Sequence, residues 1–382
     1  MANQHTDTSE SDAEIIAVWE EKGRNQTHAA TALGVSRAKV QGALQRRGFL
    51  GGIVASPERD GGKGYVVKGV STYFDKDGVQ RGQWVKTKLD DEMRESLVRE
   101  FVNSMAEPIR AMSPLVTPPM GTDDDLLVVY PMGDPHFGMY SWAAETGDDF
   151  SLEEAERVTC AAIDRLVAMA PNATEATLLN LGDFYHADDS RNVTPGHGNM
   201  LDVDTRYAKV MQVGAKAMRW CIIRLLEKHQ TVRVRNVRGN HDPHAAFALA
   251  MALDAYFENN PRVIVDMSPA AHTFQRFGKV LIGECHGDMT KPADLPGVMM
   301  NDAREHISDT TFWHWHCGHV HHDSLKEYQN VTVEHHRTLA GKDAWHAAKG
   351  YRSGRTMKAI TYHKDYGEVH RSTCDIAMLR LA

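Results

Sequence analysis

The sequence has little of what marks secreted and membrane proteins. Its five cysteines are scattered without a C-x-x-C pair, which argues against a disulfide framework or a zinc ribbon and favours a reducing compartment. No apolar run approaches the ~20 residues that a membrane span needs. Residues 1–12 are polar and lack the apolar core of a signal peptide. We therefore expect a cytoplasmic protein that does not bind membranes.

The chain also lacks a net positive charge. The net charge of -8 excludes the chain as a whole from the generic polyanion binders, so any nucleic-acid contact must come from a local basic patch. Internal repeats and low-complexity segments are absent from the sequence. A length of 382 residues predicts two or three structural units.

The N-terminal region has the pattern of three short helices over residues 13–48, after a tail at 1–12 that we expect to be disordered. Gly34-Val35-Ser36 predicts a tight turn, with Ser36 as the N-cap of the third helix. The run Ala-Ala-x-x-Leu-Gly-Val-Ser resembles the helix-turn-helix of Fis-like DNA-binding domains. The resemblance implies a DNA-binding domain over 13–50, and a three-helix protein-interaction module is the alternative. The candidate DNA contacts on the basic third helix are Arg37, Lys39, Arg46 and Arg47.

A connector is predicted next. Alternating residues over 61–88 around Asp77-Gly78 indicate a β-hairpin, and a helix is expected over about 90–112, so the connector spans 61–112. Residues 113–125 contain three prolines and three consecutive aspartates, a composition typical of a linker.

From residue 126 onward, apolar strand patterns alternate with helical patterns, which indicates an α/β fold. Polar, chemistry-bearing residues repeatedly follow the predicted strands. Because the carboxyl ends of strands carry the sites of α/β sheets, we expect these residues to meet there. The predicted strands are 126–130, 176–181, 231–237, 279–283 and 312–317, and the predicted helices are 152–170 and 204–229.

Five short clusters follow those strands, and together they predict a metal site. Asp, His and Asn supply the N and O ligands that suit Mn, Fe or Zn. Two such ions about 3.5–4 Å apart can activate a hydroxide and clamp the oxygens of a displacement at phosphorus. The clusters are Asp134-Pro135-His136, Gly182-Asp183, Gly239-Asn240-His241-Asp242, His286-Gly287 and Gly318-His319-Val320-His321.

In this order the five clusters resemble the calcineurin-like metallophosphoesterase superfamily, over about residues 126–340. The resemblance implies a two-sheet β-sandwich flanked by helices, filling residues 126–382. It also implies two divalent ions, with Mn²⁺ expected and Fe, Zn, Ni or Mg as alternatives. The first metal would be held by Asp134, His136 and His321, and the second by Asn240, His286 and His319. Asp183 would bridge both ions, His241 would be the general acid, and Asp242 would orient His241 or its loop.

One departure refines the resemblance. Many phosphatases of the superfamily have Gly-Asp-x-x-Asp where this chain has Gly182-Asp183-Phe184-Tyr185-His186. The sequence Gly-Asp-Phe-Tyr-His is similar to the Gly-Asp-Leu-Phe-His of the DNA double-strand-break repair exonuclease branch. His186 would contact substrate or a metal-bound water, or else serve as a structural hydrogen-bonding residue. The order of domains resembles that of bacteriophage and prophage proteins, which implies the host cytoplasm.

Cations and aromatics alternate after the last cluster, over residues 341–358. Such a segment suits phosphate contact and base stacking at a substrate rim. The alternative is a solvated loop followed by a closing hairpin, with strands predicted over 356–362 and 368–374. The candidate rim residues are Trp345, Lys349, Tyr351, Arg352 and Arg355.

These patterns favour an enzyme that hydrolyses phosphodiester bonds with a metal-activated hydroxide, and DNA as its substrate. The alternative is a phosphatase or phosphodiesterase for nucleotides and small phosphate esters, with a regulatory N-terminal module. A non-enzymatic DNA-binding protein is disfavoured because every ligand position holds a competent residue. DNA is the expected partner, while homo-oligomers and partner proteins are left open.

Overall fold

The computed structural model describes residues 8–47, 49, 65–74, 80–89 and 116–379. The chain divides into two compact units, Met1–Arg94 and Glu95–Ala382. The helix predicted over 90–112 and the turn at 77–78 lie outside the described residues.

The first unit contains three helices and a hairpin. The helices α1 (Thr8–Glu21), α2 (Gln26–Leu33) and α3 (Arg37–Arg46) pack around Trp19 and Leu44. As predicted, the Ser36 side chain caps α3 by accepting a hydrogen bond from the Lys39 N–H, and Gly34 ends α2 with a φ of 61°. Strands β1 (Tyr65–Phe74) and β2 (Gln80–Leu89) pair antiparallel. The tail prediction needs correction, because α1 already begins at Thr8.

The second unit is built on two sheets. The six-stranded sheet has the order β13-β12-β3-β4-β5-β6, in which β3 to β6 are parallel and β12 is antiparallel to both its neighbours. Its strands are β3 (Asp123–Met132), β4 (Ala173–Asn180), β5 (Thr231–Asn236), β6 (Val263–Asp266), β12 (Thr356–His363) and β13 (Gly367–Asp375).

The five-stranded sheet has the order β10-β11-β9-β8-β7, and its central strands β8, β9 and β11 are parallel. Its strands are β7 (Thr273–Phe277), β8 (Val280–Cys285), β9 (Phe312–Cys317), β10 (Ser324–Tyr328) and β11 (Val331–His335).

The two sheets face each other across an apolar core, to which Val129 and Ile360 contribute from one sheet and Ile282 from the other. Helices cover both outer faces, so the unit has the two sheets flanked by helices that the sequence predicts. The helices are α4 (Ala143–Thr146), α5 (Leu152–Met169), α6 (Tyr207–Leu226), α7 (Ala245–Phe257), α8 (Leu295–Asp302), α9 (Arg304–Ile307) and α10 (Ala344–Ala348), and a 3-10 helix, Ile376–Leu379, follows β13.

The predicted linker is part of this unit where it is described. Strand β3 begins at Asp123 rather than at residue 126. Val116 packs against the core, and its carbonyl oxygen accepts a hydrogen bond from Arg262 at 2.6 Å. The described part of the predicted linker therefore packs on the second unit and is not a free spacer. Within the described ranges, we find no helix with the length and apolar character of a membrane span.

Candidate metal centre

The five clusters predicted from the sequence converge at the carboxyl ends of β3, β4, β5, β8 and β9. Asp134 lies two residues beyond β3, and His286 directly follows β8. Since the parallel strands of each sheet end at one edge, their loops are brought to one place between the sheets.

The backbone of these loops is strained. Nine non-glycine residues in the described ranges have a left-handed φ, and five of these are predicted metal ligands. Such conformations carry an energetic penalty for side chains larger than glycine, and they concentrate at functional sites. The five are Asp134 (φ 45°), His136 (48°), Asp183 (49°), His319 (68°) and His321 (55°).

One group of ligand atoms comprises Asp134, His136 and His321, all within 4.8 Å of one another. The two imidazole Nε2 atoms lie 3.1 Å apart, and His321 Nε2 lies 3.5 Å from Asp134 Oδ1. The Asp134 carboxylate is also held by the His319 backbone N–H, which donates to it at 2.9 Å. This is the set that the sequence predicts for the first metal.

The second group comprises Asp183, His286 and His319, with Asn240 beside it. His286 Nε2 lies 3.3 Å from Asp183 Oδ2 and 3.0 Å from Asn240 Oδ1. Its other ring nitrogen, Nδ1, donates to the Leu181 carbonyl oxygen at 2.8 Å, which orients the ring. These are the residues predicted for the second metal and the bridge.

A third group of ligand atoms shares His136 with the first and adds His186 and His241. His186 Nδ1 is 3.3 Å from His136 Nδ1, and the carbonyl oxygen of His186 is 2.8 Å from His241 Nδ1. The Nε2 atom of His186 is buried without a hydrogen-bond partner in the protein. A buried polar nitrogen without a partner is destabilising unless something outside the chain satisfies it.

The histidines of the centre differ in the direction in which their pKa values are shifted. Burial, reinforced by the neighbouring histidines, holds the pKa of His136 well below its usual value. Burial and His241 likewise lower the pKa of His186 to about 3. Burial also disfavours the charged form of His286, but the carboxylates of Asp183 and Asp134 outweigh it and raise the pKa of that imidazole. Imidazoles and carboxylates converging from separate strands form a donor set that fits two divalent cations.

Two close approaches of the backbone are required at Asp183. A Cβ atom on Gly239 would lie 2.0 Å from Asp183 Oδ1, and one on Gly182 would lie 2.7 Å from the His286 ring. Only glycine permits these contacts, which explains the glycines that precede Asp183 and Asn240.

Asp242 is fully buried and positions the two loops around it. Its carboxylate accepts hydrogen bonds from the backbone N–H groups of Asp183, Tyr185 and Gly239, at 3.0–3.1 Å. Burial and the Asp183 carboxylate raise its pKa to about 7. Asp242 therefore acts by holding these loops in place, which agrees with the orienting role expected for it, and a direct catalytic role beside His241 stays a prediction.

The predicted rim residues divide into two sets. Trp345 lies on α10, and its ring stacks on that of Tyr351. Lys349 follows the helix, with its ammonium group 6.0 Å from the centre of the Trp345 ring. By contrast, the guanidinium of Arg355 donates to the Leu339 carbonyl oxygen at 2.7 and 2.9 Å, and Arg352 donates to the Tyr351 carbonyl oxygen at 2.8 Å. The two arginines thus brace the segment.

Two acidic residues near the centre escaped prediction from sequence. Asp188 Oδ1 accepts the backbone N–H groups of His244 and Ala245 at the start of α7. Asp343 caps α10 and holds the His346 ring, with 2.7 Å between Asp343 Oδ1 and His346 Nδ1. Asp343 directly precedes α10, a position that many surface caps share, and Asp188 lies far in sequence from the helix that it caps, so no local pattern marked either residue.

The four basic residues predicted to contact DNA are all exposed in the first unit. Arg46, however, is bound to the buried carboxylate of Asp12 by two hydrogen bonds of 2.7 and 2.8 Å. That guanidinium ties α3 to α1, and since the side chain is still 55% exposed, its DNA contact stays a prediction.

Comparison with known proteins supplies no family assignment. No protein-family model matches the chain, and no curated protein matches it significantly. Among solved structures, a predicted phosphoesterase from Streptococcus pneumoniae is 11% identical, with a TM-score of 0.27. Vps29 complexed with Zn²⁺ from Entamoeba histolytica (TM-score 0.27) and Vps29 from Chaetomium thermophilum (0.29) are each 12% identical. Each alignment covers 65% of this chain and 98% of the other. TM-scores of this size are too low to support an argument from similarity.

Proposed function

We propose that this chain is a two-metal phosphoesterase that hydrolyses phosphodiester bonds, with DNA as its substrate. The observation that carries the proposal is the pair of adjacent ligand groups, Asp134, His136 and His321 beside Asp183, His286 and His319. These residues, with Asn240, would hold two divalent cations, for which Mn²⁺ is the expected species. When bound, such ions neutralise phosphate oxygens and lower the pKa of water.

His241 is the group best placed to handle a proton. Its Nδ1 donates to the His186 carbonyl oxygen, and this fixes the ring so that Nε2 lies on the Asp183 side, 4.0 Å from Asp183 Oδ2. The side chain is 17% exposed, so it borders the opening of the centre. In the proposed mechanism His241 delivers a proton to the leaving oxygen.

His186 is proposed as a neutral hydrogen-bonding residue that faces the substrate. Its low pKa keeps the imidazole uncharged at neutral pH, and its unpartnered Nε2 is available to a phosphate oxygen or a water. A neutral ring here avoids adding a third positive charge to a site that would already hold two cations.

Support for DNA as the substrate comes from the sequence Gly-Asp-Phe-Tyr-His at 182–186 and from the exposed basic residues Arg37 and Lys39 on α3. A tethered DNA-binding unit would raise the local substrate concentration without adding contacts at the centre.

The test is to load the purified protein with Mn²⁺ and to offer linear DNA, p-nitrophenyl phosphate and bis(p-nitrophenyl) phosphate. We expect cleavage of DNA and of the diester. An Asp183→Ala protein purified in parallel controls for contaminating nuclease. Fast turnover of the monoester with intact DNA would replace this proposal by the nucleotide phosphatase alternative.

A further inference from the structure

An exposed pair of stacked aromatic rings lies beside the centre. The rings of Trp345 and Tyr351 have centroids 5.8 Å apart and planes inclined by 24°. Trp345 is 57% exposed and Tyr351 is 48% exposed. Both therefore offer flat, apolar ring surface to solvent, which is the surface that stacks on planar ligands.

His346 links this pair to the ligands. Its ring stacks on His321 with centroids 5.0 Å apart and an interplanar angle of 17°. The Trp345 ring packs edge to face against the same His346 ring, with ring centroids 5.0 Å apart. One imidazole thus separates a predicted metal ligand from the exposed indole.

The segment that carries the pair is anchored at several points. Asp343 accepts the His346 backbone N–H at 2.7 Å, and Ser141 Oγ donates to the Lys342 carbonyl oxygen at 2.7 Å. Helix α10 also packs against α4. A ligand that stacks on a pre-organised surface loses less free energy to ordering that surface than it would on a mobile loop.

The positive charge beside the rings suits the phosphate of a nucleotide. The Lys349 ammonium group lies near the Trp345 ring, where it can meet a phosphate while the ring meets a base. We infer that Trp345 and Tyr351 form a nucleobase-stacking subsite that seats the base next to the scissile phosphate. The preferred substrate is then single-stranded or frayed nucleic acid, or a nucleotide ester, and not a simple phosphate ester. The part of this inference that concerns catalysis rests on the proposed function.

Binding tests the subsite without relying on turnover. Calorimetric titration compares tetrathymidylate with an abasic tetranucleotide that has the same phosphates, for the full chain and for Trp345→Leu. We expect the full chain to favour tetrathymidylate by about tenfold, since base–aromatic stacking is worth about 1–3 kcal/mol. Trp345→Leu should lose most of that preference, and Trp345→Phe should recover part of it.

Tyr366→Leu is the matched control. Tyr366 is 69% exposed and packs on His363 with ring centroids 4.3 Å apart, but it lies in the turn between β12 and β13. This variant should keep the preference for tetrathymidylate. An unchanged preference in Trp345→Leu, or an equal loss in Tyr366→Leu, would overturn the subsite.

Kinetics with Mn²⁺ adds a second readout. Thymidine 5′-(p-nitrophenyl phosphate) and methyl p-nitrophenyl phosphate share a leaving group and differ in the base. The kcat/KM of the thymidine ester, divided by that of the methyl ester, should fall about tenfold in Trp345→Leu. If neither ester is hydrolysed while the binding preference persists, the hydrolytic function fails and the base subsite stands. If both esters are hydrolysed and Trp345→Leu does not change the ratio of their kcat/KM values, the base subsite is refuted and the hydrolytic function stands.

Discussion

Two histidine-rich regions of the second unit invite comparison. The site histidines follow strand ends and comprise His136, His186, His241, His286, His319 and His321. The buried network lies between the sheets, where His316, Glu334 and His336 meet Lys358, Tyr362 and Arg371. Both regions bring potential ligand atoms within 4.8 Å of one another.

The difference is whether the donors already have partners. In the buried network, Glu334 accepts hydrogen bonds from Lys358 at 2.8 Å and from Arg371 at 2.9 Å, so its charge is matched. His316 bonds both His336 and the Tyr362 hydroxyl. Among the site histidines, the buried His186 Nε2 has no hydrogen-bond partner in the protein. A buried nitrogen without a partner, and a position beyond the strand ends, distinguish the candidate metal centre from the buried network.

Replacing Asp183 should break the metal centre completely. Asp183→Ala removes the carboxylate nearest to His286 and to the His241 N–H, so we expect loss of both bound metals and of all detectable hydrolysis. Metal content after dialysis, measured by plasma mass spectrometry, checks this. His336→Gln, which alters only the buried network, should keep its metals. Two retained metals in Asp183→Ala would disprove the bridging role.

Replacing His241 should separate metal binding from catalysis. His241→Asn keeps a polar side chain but cannot supply a proton from an imidazole, so kcat should fall about 10²–10⁴-fold. Metal content should stay at the wild-type level. Loss of metal in this variant would show that His241 is a ligand instead of a general acid.

Replacing Glu334 should affect stability and not metal binding. Glu334→Gln removes the carboxylate that Lys358 and Arg371 share between the sheets. Lys358 keeps Asp323 and Arg371 keeps Glu368, so we expect a loss of about 1.5–3 kcal/mol, the value of a hydrogen bond to a charged group. Denaturant unfolding of the metal-free protein measures the change. Asp309→Asn, which breaks an exposed pair with Arg276, should cost less than about 1 kcal/mol.

The contribution of Glu334 should also depend on pH. Burial opposes its ionisation, but His336, Arg371 and Lys358 outweigh that and hold its pKa well below the ordinary 4.5. A lowered pKa means stability that is fully present above pH 4.5 and is lost as the pH falls below it. The stability difference between wild type and Glu334→Gln should therefore shrink in acid. A constant difference from pH 7 to pH 3 would contradict the charged network.

Removing residues 1–50 should have the smallest effect on the centre. DNA affinity should weaken, and the salt dependence should flatten by about 0.9 in log–log slope for each phosphate that the shortened protein no longer neutralises. Turnover of bis(p-nitrophenyl) phosphate should stay unchanged. Unaltered DNA binding would reassign the first unit to protein contacts.

Strong local patterns made much of the fold predictable. Helix α5 begins at the predicted Leu152 and ends one residue before its predicted end, because its apolar face repeats regularly and Ser151 caps it. The short strands β6, β7, β10 and β11 were not predicted. They are set by pairing with strands distant in sequence, and four or five residues carry too little periodicity to reveal that.

The sequence by itself determined which residue types stand after each strand, and therefore which residues to examine as ligands. Only the tertiary structure decided which histidines are left with unmatched nitrogens. His316 and His319 are three residues apart on one segment, yet one is satisfied between the sheets and the other lies beyond the strand end among the ligands. That distinction depends on residues brought in from other strands, such as Tyr362 and Asp183, which no local pattern encodes. The functional interpretation of the exposed Trp345 and Tyr351 rings likewise depends on a tertiary contact, because the stacking of His346 on His321 is what connects them with the ligands.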